Sequence, residues 1–193
     1  MNFLAHIFLS GEQSEVMVGN FIADSVKGSE LNKFSSGVQE GIRLHRVIDT
    51  YTDNHPITLK SKERLREKYG KYSPVIVDIF YDHFLAKYWE DYSKIGLRTY
   101  ADQTYKFLQK YYEIFPERSK QFFNYMVKYD ILFSYSKMEG IERVMQGMSR
   151  RARFESWMET AAEALLKDYE DYKEEFRIFF PELQKRVSCE REN

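Results

Sequence analysis

The sequence predicts an all-α protein, a single irregular helical bundle, and three observations carry that prediction. Nine glycines and four prolines are few for 193 residues. Tyr, Phe, Leu, Glu and Lys recur at spacings of three and four, and no run alternates with the two-residue period of a strand. The chain is long enough for one domain with a real core.

Each element has its own signal. Ser14 is placed to cap a helix running to about Val26, with Gly28 where helices commonly stop. The next helix covers 36–54 and ends before Pro56. Pro74 suits the first turn of a third, which reaches about Tyr92. Further helices are expected over 100–114, 118–129 and 140–148. The clearest pattern is the last: Met158, Ala162, Leu165, Tyr169, Tyr172, Phe176, Phe179 and Leu183 alternate steps of four and three, an apolar stripe with Glu, Asp and Lys on the other faces. Only about three heptads are present, so packing against the bundle is favoured over a coiled-coil seam. One helical domain is expected over 1–187, with 188–193 as a flexible tail.

Composition excludes several function classes. The chain is 43% apolar and 31% charged, and no apolar run approaches the roughly 18 residues of a membrane span. The apolar start, Met1 to Leu9, lacks a basic leader and is interrupted by His6, so it reads as mature protein. The one cysteine, Cys189, permits neither a disulfide framework nor a cysteine metal site, which favours a reducing cytoplasm. A formal net charge of −1 argues against global attraction to nucleic acid or to an anionic membrane, so an acidic partner must meet a local patch.

The apolar faces of the early helices carry the chemistry. Val38, Ile42, His45 and Asp49 fall on one stripe, which begins as core and becomes an imidazole and a carboxylate one turn apart. Burying an unpaired carboxylate is costly, so it is expected to be neutralised, paired or bound to a cation. Asp53 lies one further turn along. In the third helix His83 sits within the face of Ile76, Ile79, Phe80 and Phe84, with Asp82 on the adjoining side. Asp24 stands near a helix end, and His6 within the apolar start. Taken singly, each has a structural reading: a satisfied core histidine, or a helical His–carboxylate brace. His55, before Pro56, reads as an exposed turn residue. The recurrence across three helices favours a site in which imidazole nitrogens and carboxylate oxygens hold Mn, Fe, Zn or a related divalent ion. Such an ion polarises a phosphoryl oxygen and acidifies bound water, and Arg46 would steady phosphate charge.

These same residues resemble the acyl carrier protein phosphodiesterase family, a divergent branch of the HD-type metal phosphohydrolases. The matching motifs are Met1-Asn2-Phe3-Leu4-Ala5-His6, Gly19-Asn20-Phe21-Ile22-Ala23-Asp24, Gly41-Ile42-Arg43-Leu44-His45-Arg46-Val47-Ile48-Asp49 continuing to Thr52-Asp53, and Asp82-His83-Phe84-Leu85. Weaker similarity runs through Gly147-Met148-Ser149-Arg150-Arg151 to Phe179-Phe180-Pro181. The resemblance implies an HD-domain-like helical hydrolase of fatty acid metabolism that removes the 4′-phosphopantetheine arm from holo-acyl carrier protein. It also implies a divalent ion, manganese favoured over iron or magnesium. By motif match Asp24, His45, Asp49, Asp82 and His83 become metal ligands. Asp49, Asp82, Arg46 and Asp53 take catalytic roles, and His6 a supporting one. The adjacent pair is reversed relative to the His-Asp dyad of ordinary HD enzymes, which makes ligand-by-ligand transfer unsafe. Acyl carrier proteins are small and acidic, and Arg143, Arg150, Arg151 and Arg153 offer them a docking patch. The rival expectations are an HD-type phosphohydrolase acting on a nucleotide or small phosphate ester, and a non-catalytic helical protein that grips an acidic partner.

Overall fold

The computed structural model describes residues 1–191, which form eleven α-helices and no strand. The helices are α1 (Phe3–Leu9), α2 (Glu15–Ile22), α3 (Ser36–Asn54), α4 (Pro56–Tyr69), α5 (Ser73–Lys87), α6 (Leu97–Gln109), α7 (Glu117–Lys128), α8 (Ile131–Ser134), α9 (Met138–Arg151), α10 (Ala161–Lys167) and α11 (Tyr169–Arg191). The expected all-α class holds. The 36–54 helix is found with the expected ends, whereas α1, α4 and α8 fill stretches that periodicity leaves unassigned. In α1 and α8 the reason is length: one or two turns hold too few apolar positions to show a period.

α5 is the centre of the bundle. Ile76, Val77, Ile79, Phe80, Tyr81, Phe84, Leu85 and Ala86 are all buried, so the helix is covered on every side. α1, α4, α9 and α11 pack against it. The stripe in 158–183 does face the core, with Tyr172, Phe176, Phe179 and Leu183 fully buried. It is split, however, because α10 ends at Lys167 and α11 starts at Tyr169. α11 lies on α3, α4 and α5, and its buried Glu175 accepts two hydrogen bonds from Arg64 (2.7 and 3.0 Å) and one from Ser61. The helix continues to Arg191, past the boundary expected at 187; the last two tail positions, 192 and 193, lie outside the described residues.

The closest helix contact sets up the site. A Cβ on Gly19 would stand 1.9 Å from Val38 O, and one on Gly41 would stand 2.0 Å from Val16 O. α2 and α3 therefore meet backbone to backbone, at a distance only glycine allows. Just beyond, α2 gives way to a 3₁₀ turn at Ala23–Ser25, which leaves carbonyls of its last α turn without intrahelical partners. One of them belongs to Asn20 and faces α3.

Candidate metal and active site

Two histidines and two acids converge between α1, α2 and α3. The His6 and His45 rings stack with centroids 4.0 Å apart. Asp49 bridges them, its Oδ1 lying 3.1 Å from His6 Nε2 and its Oδ2 3.1 Å from His45 Nε2. Asp24 Oδ1 lies 3.3 Å from the same His45 nitrogen. One turn separates His45 from Asp49 on α3, and the 3₁₀ turn after α2 delivers Asp24 from the side. His6, expected in a supporting role, stands within the cluster itself.

Asn20 orients both rings. Its Nδ2 donates to His6 O and Ser10 Oγ, both at 2.9 Å, which turns its Oδ1 toward the imidazoles. Oδ1 lies 2.9 Å from His6 Nδ1 and 3.0 Å from His45 Nδ1; the Asn20 backbone oxygen lies 2.9 Å from the latter. These oxygens only accept, so each Nδ1 carries a ring proton, which leaves His45 Nε2 facing Asp49 and Asp24, and His6 Nε2 facing Asp49 and, at 3.2 Å, Met1 O. Asn20 stands in a sequence motif without an assigned role; its signal is a carboxamide in a helix that, after Glu15, is otherwise built of Val, Met, Gly, Phe and Ile.

With one proton per ring, each Nε2 lone pair would face a carboxylate oxygen at 3.1 Å, which is repulsive unless a second proton or a metal cation intervenes. Two stacked imidazolium ions would repel each other. Burial holds the His6 pKa below its usual value, and the charge on His45 lowers it further. Burial also opposes charge on His45, but hydrogen bonds to Asp24 and Asp49 outweigh it and push that pKa up to about 9. Asp49 is held well below the carboxylate range because the two imidazoles overcome its own burial, and Asp24 is lowered chiefly by its hydrogen bond with His45. One shared metal cation, taking the place of the second proton, would relieve the conflict at both rings. The donor atoms of His6, His45 and Asp49 lie within 4.8 Å of one another, and two imidazole nitrogens with carboxylate oxygens form a donor set that fits Mn, Fe or Zn.

The cluster opens into a cleft of about 930 Å³, in the size range of small-molecule sites. Asp53 lines the cleft one turn beyond Asp49 and is paired with Lys62 at 2.7 Å. Phe3, Phe21, Phe122, Ile131 and Met148 make apolar wall, and Arg118 and Arg151 are the arginines of the lining. Thr52 also lines it, and its Oγ1 is buried with no hydrogen-bond partner. Neither Arg118 nor Thr52 stood out in the sequence.

Other expected site residues are elsewhere. Asp82, fully buried, spends both oxygens on the start of α1, accepting from Leu4 N (2.8 Å), Asn2 N (3.2 Å) and Ala5 N (3.3 Å). Burial pushes its pKa up to about 7. His83 Nδ1 lies 2.7 Å from Tyr135 O and its Nε2 3.0 Å from Tyr169 OH. With both nitrogens occupied there, His83 does not join the cluster. The two residues are neighbours on a helix buried on all faces, so each meets a different part of the protein. Arg46 is exposed and does not line the cleft. Of the arginine patch, Arg151 reaches the cleft while Arg143, Arg150 and Arg153 are exposed outside its lining. The His55 side chain is only 10% exposed and lies 2.9 Å from Glu182 Oε2, so it ties α11 to the α3–α4 turn.

Comparison with known proteins agrees with the motif resemblance. The family model described as acyl carrier protein phosphodiesterase matches residues 1–183. A protein named acyl carrier protein phosphodiesterase from Escherichia coli is 30% identical over 194 aligned residues, covering 97% of this chain and 98% of the relative. Proteins of the same name from Salmonella paratyphi A and Photorhabdus laumondii are 29% and 27% identical; each alignment covers 97% of this chain, with 98% and 95% of the relatives. No solved structure matches. With nearly all of its length matched, and with His6, Asp24, His45 and Asp49 of the motifs gathered at one cleft, the chain belongs to the acyl carrier protein phosphodiesterase family.

Proposed function

We propose that the protein hydrolyses the phosphodiester joining 4′-phosphopantetheine to the serine of holo-acyl carrier protein, giving apo-carrier and free phosphopantetheine. The observation that carries this reading is the meeting, in one cleft, of the His6–His45–Asp49–Asp24 cluster with two arginines, Arg118 and Arg151, for which no carboxylate partner is found among the described residues. An acidic diester needs cationic partners, and a reaction with water needs a proton acceptor beside it. The relatives' name supplies the substrate class.

His6, His45, Asp49 and Asp24 would hold a divalent ion, with manganese favoured and iron or magnesium as alternatives. When bound, such an ion offsets charge on the phosphoryl group and makes water a stronger acid. Asn20 keeps both Nε2 atoms turned to the cleft. Asp24, whose side chain is 64% exposed and held ionised, accepts the proton of the attacking water. Arg118 and Arg151 steady the diester, and the apolar walls pack the methylene and methyl groups of the arm while excluding bulk water. Asp82 has both oxygens committed to backbone N–H groups, so proton transfer does not fall to it. We place the reaction in the cytoplasm; no helix among the described residues is long and apolar enough to cross a membrane.

The test is mass spectrometry of holo-carrier after incubation with metal-stripped protein, with and without added manganese. Loss of the arm only with the ion present is expected, and His45→Ala and Asp49→Ala should abolish it while the proteins stay folded. An arm retained in full by the wild-type protein with manganese would overturn the reading.

A further inference from the structure

The proposed substrate is a prosthetic arm attached to an acidic protein, so its carrier must rest somewhere at the mouth of the cleft. A basic stretch that the sequence reading passed over points to the place. Residues 56–72 contain six Lys and Arg against two Glu, in a chain of net charge −1. Lys60 and Arg64 turn to α11, where both pair with Glu175. Lys62, Arg66 and Lys71 instead line a shallow groove of about 470 Å³ with Gly70 and Pro74. Pro74 lines the cleft as well, and Lys62 pairs with the cleft residue Asp53, so groove and cleft share a wall.

A second segment, residues 152–157 after α9, meets this groove. Lys71 Nζ stands 3.9 Å from the centroid of the Phe154 ring, and the Arg153 guanidinium stands 5.4 Å from the same ring. Tyr72 OH donates to Phe154 O at 3.3 Å, and Tyr72 and Ala152 are both cleft-lining residues. Phe154 is 57% exposed and Trp157, three residues on, 48%. Trp157 is held at φ 54°, a left-handed conformation uncommon for a bulky residue, with its carbonyl accepting from the backbone N–H and the hydroxyl of Thr160. The backbone thus spends conformational energy to present an aromatic ring to solvent, a pattern met at binding sites. The carboxylates here are Glu63, which pairs with Arg66, together with Glu67 and Glu155. Glu159 lies near Lys68, and among the described residues Lys71 and Arg153 form an ion pair with none of these acids, which leaves both cations free to meet a partner.

We propose that the acyl carrier protein docks on this surface, with its acidic face against Arg66, Lys71 and Arg153 and an apolar side chain against Phe154 and Trp157, so that its serine-linked arm enters the cleft past Tyr72. Charge complementarity selects the occupant, since exposed aromatics ringed by cations suit an acidic globular protein. The site lies on α4, the turn after it and the 152–157 segment, and shares only Arg153 with the patch of Arg143, Arg150, Arg151 and Arg153 read from sequence. The proposal rests on the reading that holo-carrier is the substrate.

The test uses the full chain with Arg66→Glu and Lys71→Glu combined, a separate Phe154→Ser variant, and a charge-matched control, Lys106→Glu with Lys128→Glu, on α6 and α7. Titration with apo-carrier reads docking without the reaction, and turnover of holo-carrier reads KM and kcat. For the α4 double variant, Kd and KM should each rise about tenfold or more, kcat should stay within about twofold, and the salt dependence of binding should flatten. Phe154→Ser should weaken binding while keeping the salt dependence, and the control should match wild type. Unchanged Kd and KM in the α4 variant, or an equal loss in the control, would overturn the docking surface. If wild type binds apo-carrier through this surface but leaves the holo-form intact, the docking stands and the reaction fails. If wild type cleaves and the α4 variant cleaves equally well, the reaction stands and the docking fails. Neither binding nor cleavage by wild type would overturn both.

Discussion

His45 Nδ1 lies 2.9 Å from the backbone oxygen of Asn20 and 3.0 Å from its side-chain oxygen, and this pairing decides which face of the imidazole the cleft receives. A ring free to exchange tautomers would present a donor to Asp49 half the time and a ligand the other half. Asn20 removes the choice for His45 and, through the same Oδ1, for His6.

Asn20→Ala should therefore weaken manganese binding and turnover together, by about ten- to a hundredfold, as is usual when the group orienting a ligand histidine is lost. Isothermal titration with manganese and the holo-carrier assay check this. Unaltered metal affinity would show that the rings are held by packing alone.

Gly41→Ala puts a methyl group 2.0 Å from Val16 O and 2.8 Å from Asn20 N. No side-chain rotation relieves a clash with backbone, so α2 and α3 must part. Overpacking of this kind costs about 1–3 kcal/mol, and the displaced Asn20 should lower manganese affinity as well. A denaturant midpoint and a manganese titration on the same variant test the pairing of the two losses; a stability loss with full metal affinity would separate helix spacing from the site.

Asp82 supplies a pH dependence whose sign is fixed by burial. Its folded pKa of about 7 lies above the reference value of 3.8, so between those values the folded state binds more protons than the unfolded one. Stability from this group is greatest below the unfolded value and declines as pH rises toward 7, by at most about 1.4 kcal/mol per pH unit. Urea unfolding of wild type and Asp82→Asn at pH 4.5 and 7.5 should show the decline reduced in the variant, alongside an overall loss because the amide nitrogen cannot accept from the α1 backbone. Parallel pH profiles would remove Asp82 as the source.

Thr52 Oγ1 is buried without a partner on the cleft wall. Leaving a polar group unsatisfied costs about 1–3 kcal/mol, so Thr52→Val should leave the free protein as stable as before or more so. If the substrate supplies the missing partner, kcat/KM for holo-carrier should drop about tenfold. Thermal midpoints and steady-state kinetics give the two readings; a stabilised variant with full activity would make Thr52 only a packing residue.

The part of the site legible in the sequence was the part written along one helix. His45 and Asp49 are a turn apart on α3, and any helix holding both must place them on one stripe, so their partnership needed no tertiary information. Asp82 and His83 carry the same residue types side by side on one helix, yet their hydrogen-bond partners lie apart from the cluster. A buried carboxylate needs compensating partners, but whether they are a cation or three backbone N–H groups depends on what stands opposite. For Asp82 that is Leu4, 78 positions away; for His83 it is Tyr135, 52 positions away.

By itself, then, the sequence determined the helical class, the long helices and their buried faces, and the membership of His45 and Asp49 in one site, because helix periodicity and apolar burial act between residues close along the chain. The tertiary structure alone decided that His6 and Asp24, both named from the motifs, close on His45 and Asp49, that Asn20 orients the two rings, that Arg118 and Arg151 rather than Arg46 face the cleft, and that Asp82 and His83 meet α1, Tyr135 and Tyr169 instead of the cluster. Those outcomes depend on which groups from distant segments meet across a gap of about 3 Å; for Asn20 and His45 that meeting rests on two glycines, Gly19 and Gly41, that let α2 and α3 touch.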